Sequence, residues 1–377
     1  MYLPHLLPLA LAAYVSAEAL STVLAASSAS LSTLSSLLAG VPDLVQALST
    51  AQNITILAPS NNAFTKLLSR NPKAAELMQN TRALTGVLQY HVLLGKMPAS
   101  QFSTTPSFAA TMLGTPFANV TGGQRVELAK VNNTAMIFSG FKQPAMVTTA
   151  DVEFDGGIIH IIDTVLTVPA SPSLTAINTG LTSLAGALTS VQLDTGVNQL
   201  TDATIFAPSN EAFKAIGSAA GSLQSQDVVN ILAYHVLAQQ VRFSPDLLTG
   251  SPRSFMTIQG TNLTVRSENG QLFVNSARVL VADILTTNGV VHVIDNVLNP
   301  GNTTATPDAS ATSQAPAFSG VTPVLDAPFT SGVVPTATFV PASVPLTAGS
   351  AASATAPRMA GLVACAVGAA AVLMASL

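Results

Sequence analysis

The chain has 377 residues, of which 48% are hydrophobic and 8% are charged, and its net charge is −4. This length has room for two or three domains, and the apolar composition is far from that of a disordered chain. The 14 Lys and Arg residues form no basic run, which excludes nucleic acid as a partner. The only cysteine, Cys365, lies in a C-terminal apolar segment. A thiol enzyme and a zinc site built on cysteine are therefore excluded, and no metal or cofactor is expected.

The N-terminus reads as a secretory signal peptide. Leu3 to Val15 is an apolar run of secretory length, and Ser16 and Ala17 supply the small residues that signal peptidase requires. We predict cleavage after Ala17, so that residues 1–17 are removed. No Lys or Arg precedes the apolar run, which departs from the usual pattern and leaves a buried N-terminal helix as the alternative.

Three sequence motifs occur twice, in the same order. They are ILAPSNNAF at Ile56 and IFAPSNEAF at Ile205, QYHVLL at Gln89 and AYHVLA at Ala233, and IIHIIDTVL at Ile158 and VVHVIDNVL at Val290. The distance between copies is far longer than the 20 to 50 residue period of solenoids and propellers. The chain therefore contains a duplicated domain, with predicted boundaries at residues 18–169 and 170–300.

The first motif predicts a strand followed by a capped helix. Ile54 to Leu57 is β-branched and apolar, and Pro59 holds the preceding Ala58 extended. Ser60 can cap a helix that buries Phe64. The second copy places Pro208, Ser209 and Phe213 at the same positions.

The third motif predicts a buried strand entered from a hairpin turn. Residues 158–166 and 290–298 are apolar on both alternating faces, and each run follows a turn that contains glycine. The polar positions are His160 and Asp163 in the first copy, and His292 and Asp295 in the second. On a straight strand His160 and Asp163 point to opposite faces, so they do not form a pair of metal ligands.

Together, the three motifs resemble the fasciclin domain, present here in tandem. The resemblance implies an α+β fold in which each domain is a β-sandwich wedge with helices packed at one end. It also implies a non-enzymatic adhesion role outside the cell, commonly on lipid-anchored surface proteins. The expected partners are cell-surface or matrix proteins, wall glycans, or a second copy of the chain.

In this family, a Tyr-His segment and an Asp-Ile segment are linked to receptor contact. The matching positions are Tyr90, His91, Asp151, Tyr234, His235, Asp283 and Ile284. The first copy has Asp151-Val152 in place of Asp-Ile, which puts its receptor role in doubt. A structural role is the competing interpretation, because a buried Tyr or His that hydrogen-bonds across the core would stabilise strand packing. A pocket beside a Tyr-His pair that serves an enzyme or a small-ligand carrier is a further alternative.

The remaining features concern processing at the cell surface. Predicted N-glycosylation sites are Asn53, Asn119, Asn132, Asn262 and Asn302. Residues 301–358, rich in Ser, Thr and Pro, predict a disordered stalk. Residues 359–377 predict a glycosylphosphatidylinositol (GPI) attachment tail, with Ser350 or Gly349 as the attachment site. The alternative is a retained transmembrane span and a vacuolar or other endomembrane role.

Overall fold

The computed structural model describes residues 18–248 and 250–342. The predicted signal peptide, the attachment site at Ser350 or Gly349, and the apolar tail lie outside the described residues. The described chain forms two domains of the same design.

The helices and strands of domain 1 run from Leu20 to Ile162. In chain order they are α1 (Leu20–Ala26), α2 (Ser28–Ala39), α3 (Pro42–Thr50), β1 (Ile54–Pro59), α4 (Asn61–Arg70), α5 (Ala74–Gln79), α6 (Thr81–Tyr90), β2 (Val92–Leu94), β3 (Ser107–Ala110), β4 (Arg125–Val131), β5 (Thr134–Phe138), β6 (Pro144–Phe154) and β7 (Gly157–Ile162). Short 3₁₀ turns cover Ala99–Gln101 and Gly140–Lys142. In the described part of the chain no single helix has the length and apolarity to cross a bilayer; α2 and α3 reach them only as a pair bent by 114°.

Domain 2 repeats this order with small changes in its helices. Its elements are α7 (Pro172–Asn178), α8 (Thr182–Ser190), α9 (Asp194–Gln199), β8 (Ala203–Pro208), α10 (Asn210–Ala215), α11 (Gly217–Ala220), α12 (Ser225–Tyr234), β9 (Val236–Leu237), α13 (Ser244–Leu247), β10 (Arg253–Met256), β11 (Asn262–Glu268), β12 (Gln271–Val274), β13 (Ala277–Thr286) and β14 (Gly289–Ile294).

Each domain is built on one seven-stranded sheet. The strand order is β2-β1-β7-β6-β5-β4-β3 in domain 1 and β9-β8-β14-β13-β12-β11-β10 in domain 2. Only the central pairs β1–β7 and β8–β14 are parallel among the described strands. The first and third repeated motifs therefore lie side by side in the middle of each sheet.

A bulged strand bends each sheet into a wedge. The 11-residue strand β6 shifts register twice between Val147 and Val152, and Asp151 has a φ of 57°. Bulges of this kind bend a strand and increase its twist. Leu57 of β1 and Ile137 of β5 consequently share one core with Tyr90. This arrangement confirms the predicted α+β wedge, and β13 bends in the same way around Asp283, whose φ is 64°.

The helices cover the other face of the central strands. Leu31, Phe64 and Leu88 pack with Ile159 of β7 in a second core cluster. The Ser60 Oγ accepts a hydrogen bond from the Ala63 N–H at 3.2 Å, which confirms the predicted helix cap. Ser209 caps α10 in the same way, at 3.1 Å.

The third motif forms a fully buried strand in both copies, as predicted, but a shorter one. β7 ends at Ile162 and β14 at Ile294, and the residues that follow are not part of the sheet. At Gly157 and Gly289 the φ angles are 158° and 153°, and a Cβ would overlap a carbonyl oxygen of the parallel neighbour strand. Only glycine allows the two backbones to approach so closely.

The two domains dock through hydrogen bonds from side chains of domain 1 to backbone carbonyls of domain 2, and one of the donors is the lysine of a buried ion pair. The Lys142 Nζ donates to Glu127 Oε2 at 2.8 Å within domain 1, and to the Ala282 carbonyl of domain 2 at 2.7 Å. Both charged side chains are almost fully buried. The Gln124 amide also donates to the Thr286 carbonyl, at 2.9 Å. These contacts join the domains into one body.

The prediction of a disordered stalk is wrong for residues 301–342. This segment has no helix or strand, but it packs along domain 2 and reaches domain 1, where the ring of Phe339 stacks on Phe141 at 4.3 Å. Phe318 and Phe329 pack against the core of domain 2 on the way. Its widely spaced apolar side chains, which include Phe318, Phe329 and Phe339, pack into grooves of the two domains. The amino-acid composition of the segment does not reveal this spacing.

Replacing Lys142 with Met leaves Glu127 buried without its cation. We expect Lys142→Met to lower the free energy of unfolding by about 3 kcal/mol in urea titrations at pH 8. The double variant Lys142→Met with Glu127→Met should recover most of the loss, since Glu127 no longer leaves an unpaired carboxylate at this site. Equal destabilisation in the single and double variants would contradict the role given to the pair.

Candidate functional site

Each Tyr-His pair lies where a helix ends and a strand begins. Tyr90 is the last residue of α6, and His91 leads into β2; Tyr234 and His235 occupy the same places after α12. All four side chains are buried: both tyrosines are 0% exposed, His91 is 3% exposed and His235 is 2% exposed. The Tyr90 hydroxyl donates to the Arg125 carbonyl at 3.0 Å. Burial raises the pKa of Tyr90 well above its ordinary value.

The two histidines of these pairs are neutral and use both ring nitrogens. The His91 Nδ1–H donates to the Val87 carbonyl at 2.7 Å, and Nε2 accepts from the Leu166 N–H at 2.9 Å. His235 makes the same two bonds, to Ile231 and Leu298. Burial lowers the pKa of each ring to about 4, although the bond to the helix carbonyl partly opposes the shift. Neither nitrogen is left to act on a substrate.

A second pair of histidines supports the bulged strands. The His160 Nε2–H donates to the Met97 carbonyl at 2.9 Å, and Nδ1 accepts from the Asp151 N–H at 3.2 Å. His292 accepts in the same way from the N–H of Asp283, at 3.3 Å. Burial lowers the pKa of His292. Each ring holds the backbone of a bulge residue that has positive φ.

The two bulge aspartates differ in exposure. The Asp283 carboxylate is buried and accepts hydrogen bonds from both the backbone N–H and the hydroxyl of Ser244. Asp151 is exposed and accepts from the Ala99 N–H at 3.0 Å. Ile284, beside Asp283, is 0% exposed. The Asp-Ile segment of domain 2 is thus part of the core.

Burial corrects the expectation of direct receptor contact. The residues that expose 3% or less of their surface are Tyr90, His91, Tyr234, His235, Asp283 and Ile284. Asp151 alone among the candidate contact residues is exposed, and its receptor role stays a prediction. The competing structural interpretation explains the other six.

The predicted His-x-x-Asp positions do not converge on a ligand. The Asp163 carboxylate accepts from the Met146 N–H at 2.8 Å, at the end of β7, rather than approaching the partners of His160. Asp295 accepts in the same way from the Arg278 N–H at 2.7 Å, and burial raises its pKa. Within residues 18–248 and 250–342, no group of three or more His, Cys, Asp or Glu side chains could hold a metal ion.

The docked domains create a cleft that sequence reasoning missed. It has a volume of about 520 Å³, and its lining includes Arg125, Asp202, Gln239, Gln240, Phe243 and Asp246. Phe243 of domain 2 stacks on Phe108 of domain 1, with ring centroids 3.8 Å apart. The lining residues come from both domains, and no motif marks them. Only the docking of the domains brings them together.

All five predicted glycosylation asparagines are exposed. Two of them use the amide nitrogen that a glycan would occupy: Asn119 donates to the Leu200 carbonyl at 3.0 Å, across the domain interface, and Asn302 donates to the Ala317 carbonyl at 3.2 Å. The hydrogen bonds of Asn119 help to dock the domains. Glycosylation of these asparagines stays a prediction.

The buried histidines predict loss of stability in mild acid. Between pH 6.5 and 4 the unfolded chain binds a proton at His91 that the folded chain does not, so stability falls as pH falls through this window. We expect His91→Gln to reduce the pH slope of the unfolding free energy there by up to about 1.4 kcal/mol per pH unit. Urea titrations from pH 7 to pH 4.5 measure that slope.

Leu88→Ala is the matched control, since it removes buried packing beside His91 without removing a titrating group. It should lower stability at every pH and leave the slope unchanged. An unchanged slope in His91→Gln would show that the ring does not resist protonation in the folded state.

Comparison with known proteins agrees with this architecture. The fasciclin domain family matches residues 29–169 and 179–300. A fasciclin-like arabinogalactan protein of Arthroderma benhamiae is 34% identical over 82% of this chain and 74% of its own length, and the fasciclin-like arabinogalactan protein elcF of Phaeosphaeria nodorum is 30% identical over 78% and 92%. Human periostin is 28% identical over 69% of this chain and 29% of its own length. A solved FAS1 domain pair from the insect cell adhesion molecule Fasciclin I covers 72% of this chain and 98% of that chain, with 18% identity and a TM-score of 0.35. Because the two family matches span more than half of the chain, the protein belongs to the fasciclin domain family.

Proposed function

We propose that this protein is a non-enzymatic interaction protein of the adhesion type that acts outside the cell. Membership of the fasciclin domain family supports the adhesion role. The similarity to fasciclin-like arabinogalactan proteins and to periostin supports a secreted or cell-surface location. The partners are cell-surface or matrix proteins, wall glycans, or other copies of the chain.

The main support for this proposal is that every polar atom of the buried Tyr and His side chains is already hydrogen-bonded. Each of the four imidazoles makes a hydrogen bond through both ring nitrogens, and each tyrosine hydroxyl is also bonded. A general base needs a free nitrogen within reach of its substrate. These groups hold the fold together, and function then belongs to the surface.

The interdomain cleft is the surface best suited to a polar partner. Arg125 and the Gln239 amide supply donors, while Asp246 supplies acceptors. Sugar hydroxyls both donate and accept hydrogen bonds, so a cleft with this mixture suits a wall glycan. The side chains of Gln239 and Asp246 are exposed to solvent.

An adhesion assay tests the cleft. Beads coated with the full protein are measured for binding to immobilised β-glucan and chitin, and to beads that carry the same protein. We expect Gln239→Gly with Asp246→Ala to weaken glycan binding at least fivefold, because donors and acceptors are lost; glycine suits the φ of 59° at Gln239. Glu76→Ala with Gln79→Ala, at exposed positions of α5, is the matched control and should bind normally.

If the cleft variant and the wild type bind glycan equally, the cleft is not the contact surface. A wild-type protein that binds neither glycan nor itself would leave the adhesion proposal without these partners. A substrate-dependent signal that is lost in a folded His91→Gln variant would favour the small-ligand or enzyme alternative instead.

We further propose that a GPI lipid at Ser350 or Gly349 anchors the protein to the outer leaflet of the plasma membrane. Treatment of intact cells with phosphatidylinositol-specific phospholipase C should release a protein tagged after Ala17 into the medium. Removing the small residues at the attachment site, with Gly349→Leu and Ser350→Leu, should prevent anchoring and hence this release. Retention of the wild-type protein, with the apolar tail still present by mass spectrometry, would favour a transmembrane span and an internal membrane.

A further inference from the structure

An open apolar groove crosses the helical face of domain 1. It lies between α2, α4, α5, α6 and the segment after β7. The partly exposed apolar side chains that line it are Leu37, Leu67, Leu77, Met78, Val87 and Val165. His91 also lines it, with both ring nitrogens already bonded, and no lining residue carries a charge. We call this the domain 1 groove.

The corresponding surface of domain 2 is covered by the chain itself. The duplication places Phe213 and Ile216 where the groove has Phe64 and Leu67. Residues 315–333, called here the strap, run over this surface. The Phe329 ring lies edge-on to Phe213, with centroids 6.0 Å apart, and Val321 packs on the same core. The two domains therefore differ at this surface: residues of the strap cover it in domain 2, whereas no residue of 18–248 or 250–342 covers it in domain 1.

Backbone hydrogen bonds hold the strap on domain 2, and turns interrupt the strap at residues 319–320, 328–329 and 331–332. The Val324 N–H donates to the Lys214 carbonyl at 3.0 Å, and the Ser218 N–H donates to the Thr322 carbonyl at 3.2 Å. Nearer its start, the Asn299 amide donates to the Ala317 carbonyl at 3.1 Å. The cover of domain 2 is thus an uncharged apolar stretch, apart from Asp326, with three prolines.

The domain 1 groove lacks the features that receive this particular strap. A Cβ at Gly186 would overlap the Phe329 carbonyl, and one at Gly217 would overlap the side chain of Val324. Asn61 bonds to Ser32 and the Thr33 N–H as Asn210 bonds to Thr182 and the Ser183 N–H, which aligns the two helices. In that alignment Ser36 stands where domain 2 has Gly186, and Leu68 where it has Gly217. Thr167 stands where domain 2 has Asn299, whose side chain bonds to the strap. A second copy's strap does not fit.

We propose that the domain 1 groove is a docking site for an uncharged, apolar, proline-containing segment of a partner protein. The strap on domain 2 shows which chemistry covers such a surface: aromatic and branched aliphatic side chains on a chain that contains several prolines. Because Ser36, Leu68 and Thr167 replace Gly186, Gly217 and Asn299, we expect the domain 1 groove to bind a sequence that differs from the strap. This site lies apart from the interdomain cleft. An experiment can therefore contradict the docking proposal without contradicting the proposed adhesion function, and can contradict the adhesion function without contradicting the docking proposal.

The test uses a phage-displayed library of random 12-residue peptides selected on the full protein. We expect enrichment of uncharged peptides with an aromatic and an aliphatic residue. The best peptide, labelled with a fluorophore, should bind in anisotropy titrations and lose at least tenfold in affinity with Val87→Asp. Leu77→Asp is the second groove variant, in case the first does not fold. Met256→Asp, at an exposed methionine of domain 2, is the control and should bind within twofold of the wild type.

Three results would overturn the proposal. The first is a failure of the selection to identify a groove ligand. Either no peptide is enriched, or the enriched peptides bind both groove variants as tightly as they bind the wild type. The second is a selected sequence that matches residues 315–333, together with dimerisation of the wild-type protein, which would make a second copy the occupant. The third is tight binding of palmitate that Val87→Asp abolishes while no peptide competes, which would make the groove a lipid site.

Discussion

A buried imidazole must keep both ring nitrogens hydrogen-bonded, and the frame of each domain depends on this requirement. His91 joins α6 to the segment after β7, because one nitrogen bonds Val87 and the other bonds Leu166. His160 joins the bulge of β6 to the loop that contains Met97. An unsatisfied buried polar group costs about 1 to 3 kcal/mol, so each ring holds together two segments that are distant in the chain. Domain 2 repeats both arrangements.

Buried polar groups must also be hydrogen-bonded at the junction of the domains. The ammonium of Lys142 is almost fully buried, and it is satisfied by one partner in its own domain, Glu127, and one in the other, Ala282. Burial raises the pKa of Glu127 to about 7; the Lys142 charge opposes this shift, and the Asp283 charge adds to it. Because the lysine has partners on both sides, it helps to hold domain 1 against domain 2.

Duplication supplied two similar domains, and the chain after the second domain made them unequal. The strap covers the apolar helical face of domain 2, where Gly186 and Gly217 leave room for its backbone and side chains. Domain 1 has Ser36 and Leu68 at those positions and keeps an open groove. A tandem protein of this kind can therefore present two different surfaces, the cleft and the groove, on one rigid framework.

The repeated motifs predict the duplication, and their resemblance to the fasciclin domain implies the α+β fold. Local patterns further predict the caps at Ser60 and Ser209 and the buried strands after the glycine turns. These features depend on local propensity and on apolar patterning, which are written in neighbouring residues. The sequence also pointed to the Tyr-His and Asp positions, but could not decide between a contact role and a core role, because burial depends on what packs against a side chain. The tertiary structure was needed to show that Tyr90, His91 and Asp283 are buried, that residues 301–342 pack against the domains, and that Arg125 and Asp246 line a common cleft. Those outcomes arise from contacts between segments far apart in the chain, for which no local pattern exists.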